Sequence, residues 1–305
     1  MYFAGHSSRV VSVEFNHDGT RLVTAAHDGE TRIWDTKSGN LVYNLKNEKG
    51  PIAFSVFSPD GKYVATASSK TKIAVWKVSS TTETPVALDH DCTVFTASFS
   101  FTSGRIVTGC ENGSIFVWDG KTGKKLFDVE AVSNSWIRQL SFNADDTRII
   151  SADQSRYVYL YDAATGHLVK SLVGKRPLNA TPELGRSWGH VVSASFLNDG
   201  QRILTANDDG TIHVWDAQSG DEVALVGTDG GYIASAVFLP NDHAVLAISA
   251  DGSIRKWKLF ASTQAFIDAT KEKVPRCLTP SQRQALFLEA SLPRWCDGKA
   301  KYAAE

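Results

Sequence analysis

The chain has 305 residues, 42% hydrophobic and 21% charged, with a formal net charge of −1. That length buries a sizeable core, and the near-neutral balance offers no global field for nucleic acid or an anionic membrane. No apolar run approaches the roughly 18 residues of a spanning helix, and Met1-Tyr-Phe-Ala-Gly-His6 lacks the basic and apolar regions of a signal peptide. Cys92, Cys110, Cys277 and Cys296 show no C-x-x-C pairing, so reduced cytosolic thiols are expected and no metal site. In chain order, Val10-Val-Ser-Val-Glu-Phe15 alternates as a strand, His17-Asp-Gly19 turns, and Leu22-Val-Thr-Ala-Ala26 is a second strand. Asp28-Gly29 turns into a third strand ending at Trp34, and Lys37-Ser-Gly39 turns into a fourth, Leu41–Leu45.

This unit recurs. A phenylalanine stands at 15, 57, 99, 142, 196 and 238, and a large aromatic follows 19 residues after each: Trp34, Trp76, Trp118, Tyr161, Trp215 and Trp257. An aliphatic follows each Phe by seven residues, from Leu22 to Val245, and another precedes it by five, from Val10 to Ile233. Four anchors in one register six times over define a repeat. The expected fold is all-β, with six four-stranded antiparallel units. The aromatic anchors lie 42, 42, 43, 54 and 42 residues apart, so one insertion, Gly174–Gly189, interrupts the fourth-to-fifth spacing. It carries Arg176, Arg186 and Trp188 and is either a binding element or a variable surface loop.

Trp34-Asp35, Trp118-Asp119, Tyr161-Asp162 and Trp215-Asp216, with Gly5-His6 ahead of the first unit, resemble WD repeats over residues 1–260. The resemblance implies a β-propeller of radially packed blades and says little about function. It also implies a buried His–Asp–Ser/Thr–Trp network. In the first unit His6, Asp28 and Trp34 match, with Ala26 at the expected hydroxyl position. In the third, His90 and Trp118 match, with Cys110 and Asn112 substituted. In the sixth, Ser249, Asp251 and Trp257 match, with Asp229 in place of the His. Gly189-His190 stands too close to Phe196 to play the part of Gly5-His6. Such networks are structural glue rather than catalytic triads.

Residues 261–305 are expected to form a helical tail packed on the propeller, with helices over 262–273 and from Pro280 to Leu288, where Thr279 and Gln282 supply cap signals. The sixth unit lacks an outer strand of its own, and Met1–Ala4 is expected to supply it and close the ring. A longer propeller with a further blade is the rival. Val274-Pro-Arg-Cys-Leu-Thr-Pro280, Leu286-Phe-Leu288 and Pro293-Arg-Trp-Cys296 resemble the tail of large bacterial WD-repeat proteins. In those, a propeller follows a TIR, caspase-like or NTPase effector domain.

No nucleophile elbow, P-loop, zinc-protease or EF-hand spacing is present. The expected function is a cytoplasmic, monomeric, non-catalytic scaffold or sensor module of a bacterial signalling protein, without a cofactor. Its expected partner is a protein or peptide, a missing effector domain being one such partner, and neither nucleic acid nor membrane. The alternative is a propeller enzyme or small-ligand binder with a metal in the channel. The resemblance places partner-binding positions six residues before each Phe and just before the turn Asp. The candidates are Arg9, His27, Glu111, Trp136, Arg138, Gln154, His190, Asp208 and Tyr232, with Trp136, His190 and Tyr232 as an aromatic patch on consecutive blades.

Overall fold

The computed structural model describes residues 3–46, 50–69, 71–79, 84–130, 132–154, 157–173, 190–197, 200–227, 233–239, 244–249 and 251–258. Within the compact unit formed by residues 1–257, the described residues are all strand and turn. They form five four-stranded antiparallel sheets and a three-stranded sixth. In the first sheet, Val10–Phe15, Arg21–Ala26, Glu30–Asp35 and Leu41–Lys46 pair in chain order, and the next four sheets repeat that order. The sixth holds Ile233–Phe238, Ala244–Ser249 and Ile254–Lys258. The all-β repeat fold read from the sequence is the observed one.

The aspartate after the aromatic anchor explains why the third strand ends where it does. Asp35, Asp119, Asp162 and Asp216 each accept, through Oδ1, the backbone N–H three residues on, at 2.7–3.0 Å. The glycine after that turn takes φ near +75° at Gly39 and +68° at Gly220, a left-handed backbone that other residues resist.

The first strand of each sheet lies against the first strand of the next, from the first sheet to the sixth, so these strands are innermost. Successive sheets pack face to face. Val23, Ile33 and Leu45 of the first sheet bury against Phe57, Val64 and Trp76 of the second, and Val107, Ile115 and Val117 of the third bury against Leu140, Phe142 and Tyr161 of the fourth. This is the blade packing of a β-propeller. Inner-strand edges are satisfied by side chains from the preceding sheet: Ser55 N–H donates to Ser12, Phe57 N–H to Glu14, Ala194 N–H to Gln139 and Ala236 N–H to Ser193.

Of the strand expected from Met1–Ala4, Met1 and Tyr2 lie outside the described residues. Phe3 and Ala4 are in no strand, and the Phe3 ring meets Trp34 of the first sheet edge-on at 5.8 Å. The Gly174–Gly189 insertion and the helices expected beyond residue 261 lie outside the described residues.

Candidate functional site

The polar network behind the aromatic anchors is better kept than the sequence reading held. The hydroxyl lies ten residues before the anchor, so it is Thr24 and not the position of Ala26. Trp34 Nε1 donates to Thr24 Oγ1 at 2.8 Å, Thr24 contacts His6 Nε2 at 2.7 Å, and His6 Nδ1 meets Asp28 Oδ2 at 2.9 Å. Asp28 only accepts, so Nδ1 carries the proton and Thr24 donates to Nε2. Burial raises the Asp28 carboxyl, but the His6 hydrogen bond and the Glu30 and Ser7 amides more than offset it and hold it below its usual range.

The same hydroxyl recurs. Trp76 donates to Thr66 at 3.0 Å, Trp118 to Thr108 at 2.9 Å and Trp215 to Thr205 at 3.0 Å. In the third sheet His90 Nε2 meets Thr108 at 2.9 Å, and its Nδ1 faces the Leu88 carbonyl at 3.1 Å where the first sheet uses Asp28. Cys110 is therefore not a substituted hydroxyl. In the sixth sheet Ala247 stands ten residues before Trp257, so Ser249 is not that hydroxyl either. These chains pin loops to sheets, and the expectation that they are glue accounts for them.

The described partner-binding positions fall at one end of the sheets, where positions six residues before a Phe are hydrogen-bonded to positions just before a turn Asp. His27 N–H donates to the Arg9 carbonyl at 3.0 Å, Gln154 N–H to that of Trp136 at 3.0 Å and Asp208 N–H to that of His190 at 2.9 Å. Glu111 N–H donates to Thr93 at 2.9 Å. Arg9, His27, Trp136, Arg138 and Gln154 are exposed; Glu111, His190 and Asp208 are half-buried. His190 is not a network histidine: its ring Nδ1 donates to the Gln154 carbonyl of the preceding sheet, and its N–H donates to Asp208 Oδ1 at 2.8 Å. Tyr232 lies outside the described residues.

An exposed aromatic pair on this edge joins the third and fourth sheets. The Trp136 indole, 48% exposed, stacks on Phe95, 42% exposed, with ring centroids 5.1 Å apart and planes at 15°. Phe95 is not among the positions that the sequence marks as a site. Three local features hold the pair. Ile137, next to Trp136, is buried against Gly109, where a Cβ would come within 2.6 Å of it. Gly113, at φ +84°, leaves room for the Ser133 carbonyl on the segment leading to Trp136. Cys92, three residues before Phe95, is disulfide-bonded to Cys110, one residue before Glu111, with Cα atoms 5.9 Å apart.

That bond corrects the expectation of reduced thiols at 92 and 110. The 18-residue separation spans one antiparallel hairpin, in which Val94 pairs with Cys110 and so brings Cys92 beside it. Cys277 and Cys296 lie outside the described residues.

Among the described residues, no group of three or more His, Cys, Asp and Glu side chains could hold a metal, and no helix is long and apolar enough to cross a membrane. His213 is buried at 2% exposure. Its Nδ1 faces Glu222 at 3.1 Å, its Nε2 faces Thr211 at 3.1 Å, and its ring stacks on Trp215. It is a satisfied core histidine.

A family model described as WD domain, G-beta repeat matches residues 1–35, 39–77, 83–119 and 183–216. The chain is 27% identical to Autophagy-related protein 16 of Arabidopsis thaliana over 70% of its own length and 40% of that protein. It is 23% identical to Eukaryotic translation initiation factor 3 subunit I of Drosophila grimshawi, over 62% of this chain and 61% of the relative. Against the same subunit of Phaeosphaeria nodorum it is 29% identical, over 58% and 56%. The chain thus spans 40–61% of the length of these curated relatives.

Proposed function

This chain belongs to the WD-repeat proteins, and from that premise we propose that it is a non-catalytic scaffold that holds a protein or peptide segment against the Phe95–Trp136 stack. WD-repeat propellers are in general interaction scaffolds rather than enzymes, and the relatives include a protein named as a subunit of a larger factor. One observation carries the reading: two large rings lie stacked and exposed where the third and fourth sheets meet. Stacked aromatics supply contact area at low entropic cost, and such residues dominate binding energy where they are found.

Around the stack, Glu111, Arg138, Gln154, His190 and Asp208 supply donors and acceptors of both signs, the polar rim that accompanies an apolar anchor. Arg9 and His27 extend the same edge in this reading. The finer form is a cytoplasmic, monomeric sensor module of a bacterial signalling protein that reports to an effector domain. It rests on the sequence of residues 274–296 alone, and the relatives named above are eukaryotic.

Affinity capture with the intact chain as bait, beside Phe95→Ala and Trp136→Ala, tests the scaffold reading. A partner retained by the parent and lost from both variants supports it. A partner retained equally by all three refutes the location.

A further inference from the structure

The turns between first and second strands share a pattern that the third sheet breaks. Asp18, Asp60 and Asp145 each accept, through Oδ1, the backbone N–H two residues on, at 2.8–3.1 Å. The third sheet has Thr102 at that position, and its left-handed glycine, Gly104 at φ +68°, comes one place later than Gly19 and Gly61. The amides of Phe101, Thr102 and Ser103 donate instead to Asp146 of the fourth sheet. Asp146 in turn stands where Gly19, Gly61 and Gly200 stand in their own turns. Two departures from the repeat complete each other: one turn lacks its own acceptor, and its neighbour supplies one from a backbone conformation that aspartate tolerates better than most residues.

The turn held in this way presents Phe101, 48% exposed, where the other units have His17, Pro59, Ala144, Asn198 and Pro240. Beside it, between the turns of the second and third sheets, lies a cavity of about 190 Å³ walled by Pro59, Tyr63, Phe99, Phe101 and Lys121. Gly120 also lines it, where other units have Thr36, Val78, Ala163 and Ala217. Val78 and Ala163 are fully buried, so the third sheet omits a side chain that its neighbours pack. A Cβ on Gly120 would come within 2.8 Å of the Gly104 carbonyl, so the turn reaches its position only over glycine. Of the two charged side chains on the rim, Asp60 is already engaged, by the Ser58 hydroxyl at 2.6 Å, the Lys62 amide at 3.1 Å and the Lys62 ammonium at 3.2 Å. Lys121 is exposed, and its ammonium makes no ion pair among the described residues. The adjacent Asp119 accepts from the Lys121 and Thr122 amides.

We propose that this cavity is a second docking site, which takes one aromatic side chain of an acidic peptide. The ring enters beside Tyr63 and Phe101, and a neighbouring carboxylate of the peptide pairs with Lys121. The size fits a side chain: a cavity of roughly 150 Å³ takes up benzene, whereas pockets for whole small-molecule ligands run to about 300–1,000 Å³. The Asp146 clamp fixes the wall that carries Phe101 before any ligand arrives, which lowers the ordering entropy lost on binding. The site follows the end of the strand Val94–Phe99, whereas Phe95 lies at its start, so it is separate from the Phe95–Trp136 edge and its failure leaves the scaffold reading untouched.

Amide chemical-shift titration of the full, isotope-labelled chain with the capped peptide acetyl-Glu-Phe-Glu-amide tests it. The site predicts saturable shifts at Phe101–Gly104 and Gly120–Lys121, with a dissociation constant in the millimolar range expected of one ring and one ion pair. Phe101→Ala should weaken binding on the order of tenfold and Lys121→Glu by about fivefold. Both substitutions fall at exposed positions, and unaltered spectra elsewhere show that each variant is folded. Trp136→Ala should leave the titration unchanged. No saturable shift at these amides overturns the site. So does equal binding of acetyl-Glu-Ala-Glu-amide, which would leave charge alone, and so do shifts confined to Phe95 and Trp136, which would put the peptide on the other edge.

Discussion

Trp34 donates its indole N–H to the Thr24 hydroxyl at 2.8 Å, and through it the first sheet is tied to His6 and Asp28. Thr24→Val keeps the shape and removes the relay. It leaves a buried indole N–H and an imidazole nitrogen unpaired, at a cost of about 1–3 kcal/mol each before relaxation. The expected result is a fall in Tm by several degrees and faster hydrogen exchange at Ser7 and Glu30, whose amides bond to Asp28. Unchanged exchange there would mean that Asp28 is held without the relay.

Much of this relay was legible. The 19-residue Phe-to-Trp spacing reflects two hairpins of constant length, and it located all six sheets. The hydroxyl was assigned two positions late, at Ala26 and Cys110, although Thr24, Thr66, Thr108 and Thr205 each stand ten residues before an anchor. The antiparallel register decides the point: Leu22 pairs with Trp34, which puts Thr24 on the same face as the indole. Phe95 was not legible, because no periodicity marks a residue whose role depends on the neighbouring sheet. The disulfide follows from the third sheet's own first hairpin, in which Val94 pairs with Cys110 and so brings Cys92 alongside, a register that the cysteine spacing alone does not give.

Asp146 sits at φ +58° in the turn of the fourth sheet. It accepts from the backbone N–H groups of Phe101, Thr102 and Ser103 and from the Thr102 hydroxyl, at 2.6–2.8 Å. Burial pushes its carboxyl up, but these hydrogen bonds outweigh that and hold it below its usual range. A carboxylate depressed in the folded state contributes stability above its unfolded pKa and loses it as pH falls through the folded value. Asp146→Ala should cost about 3 kcal/mol or more in chemical denaturation near neutral pH. Asp146→Asn, which tolerates the left-handed backbone, should cost less. Equal losses would assign the effect to the lost carboxylate rather than to backbone strain.

Glu14 has the opposite sign. Burial raises its carboxyl from 4.5 to about 7, against the Phe57 N–H that donates to it at 3.0 Å. Between those values the folded state holds more protons than the unfolded state, so stability falls as pH rises through that window. Glu14→Gln keeps the acceptor and removes the charge. It should stabilise the fold by about 1–3 kcal/mol at pH 8 and leave stability at pH 4 nearly unchanged. Denaturant midpoints at the two pH values check this. A destabilised variant at pH 8 would show that the carboxylate finds a favourable partner when charged.

The Cys92–Cys110 bond closes a short loop, and reducing it should cost about 2–4 kcal/mol. Alkylation of the unreduced, denatured chain followed by peptide mass mapping should find both positions unlabelled. Full labelling would return these residues to buried free thiols. Reduction should also loosen Phe95, so that any partner bound at the stack dissociates faster from reduced protein.

The most direct test of the central claim is calorimetric titration of a captured partner into the parent chain and the Phe95→Ala/Trp136→Ala double variant, with Tm measured for both. Two exposed rings contribute little to folding, so the account predicts similar Tm values. It also predicts affinity lost by about two orders of magnitude, the scale of a binding hot spot. Equal affinity in parent and variant, with both chains folded, would contradict the assignment of this edge as the binding surface.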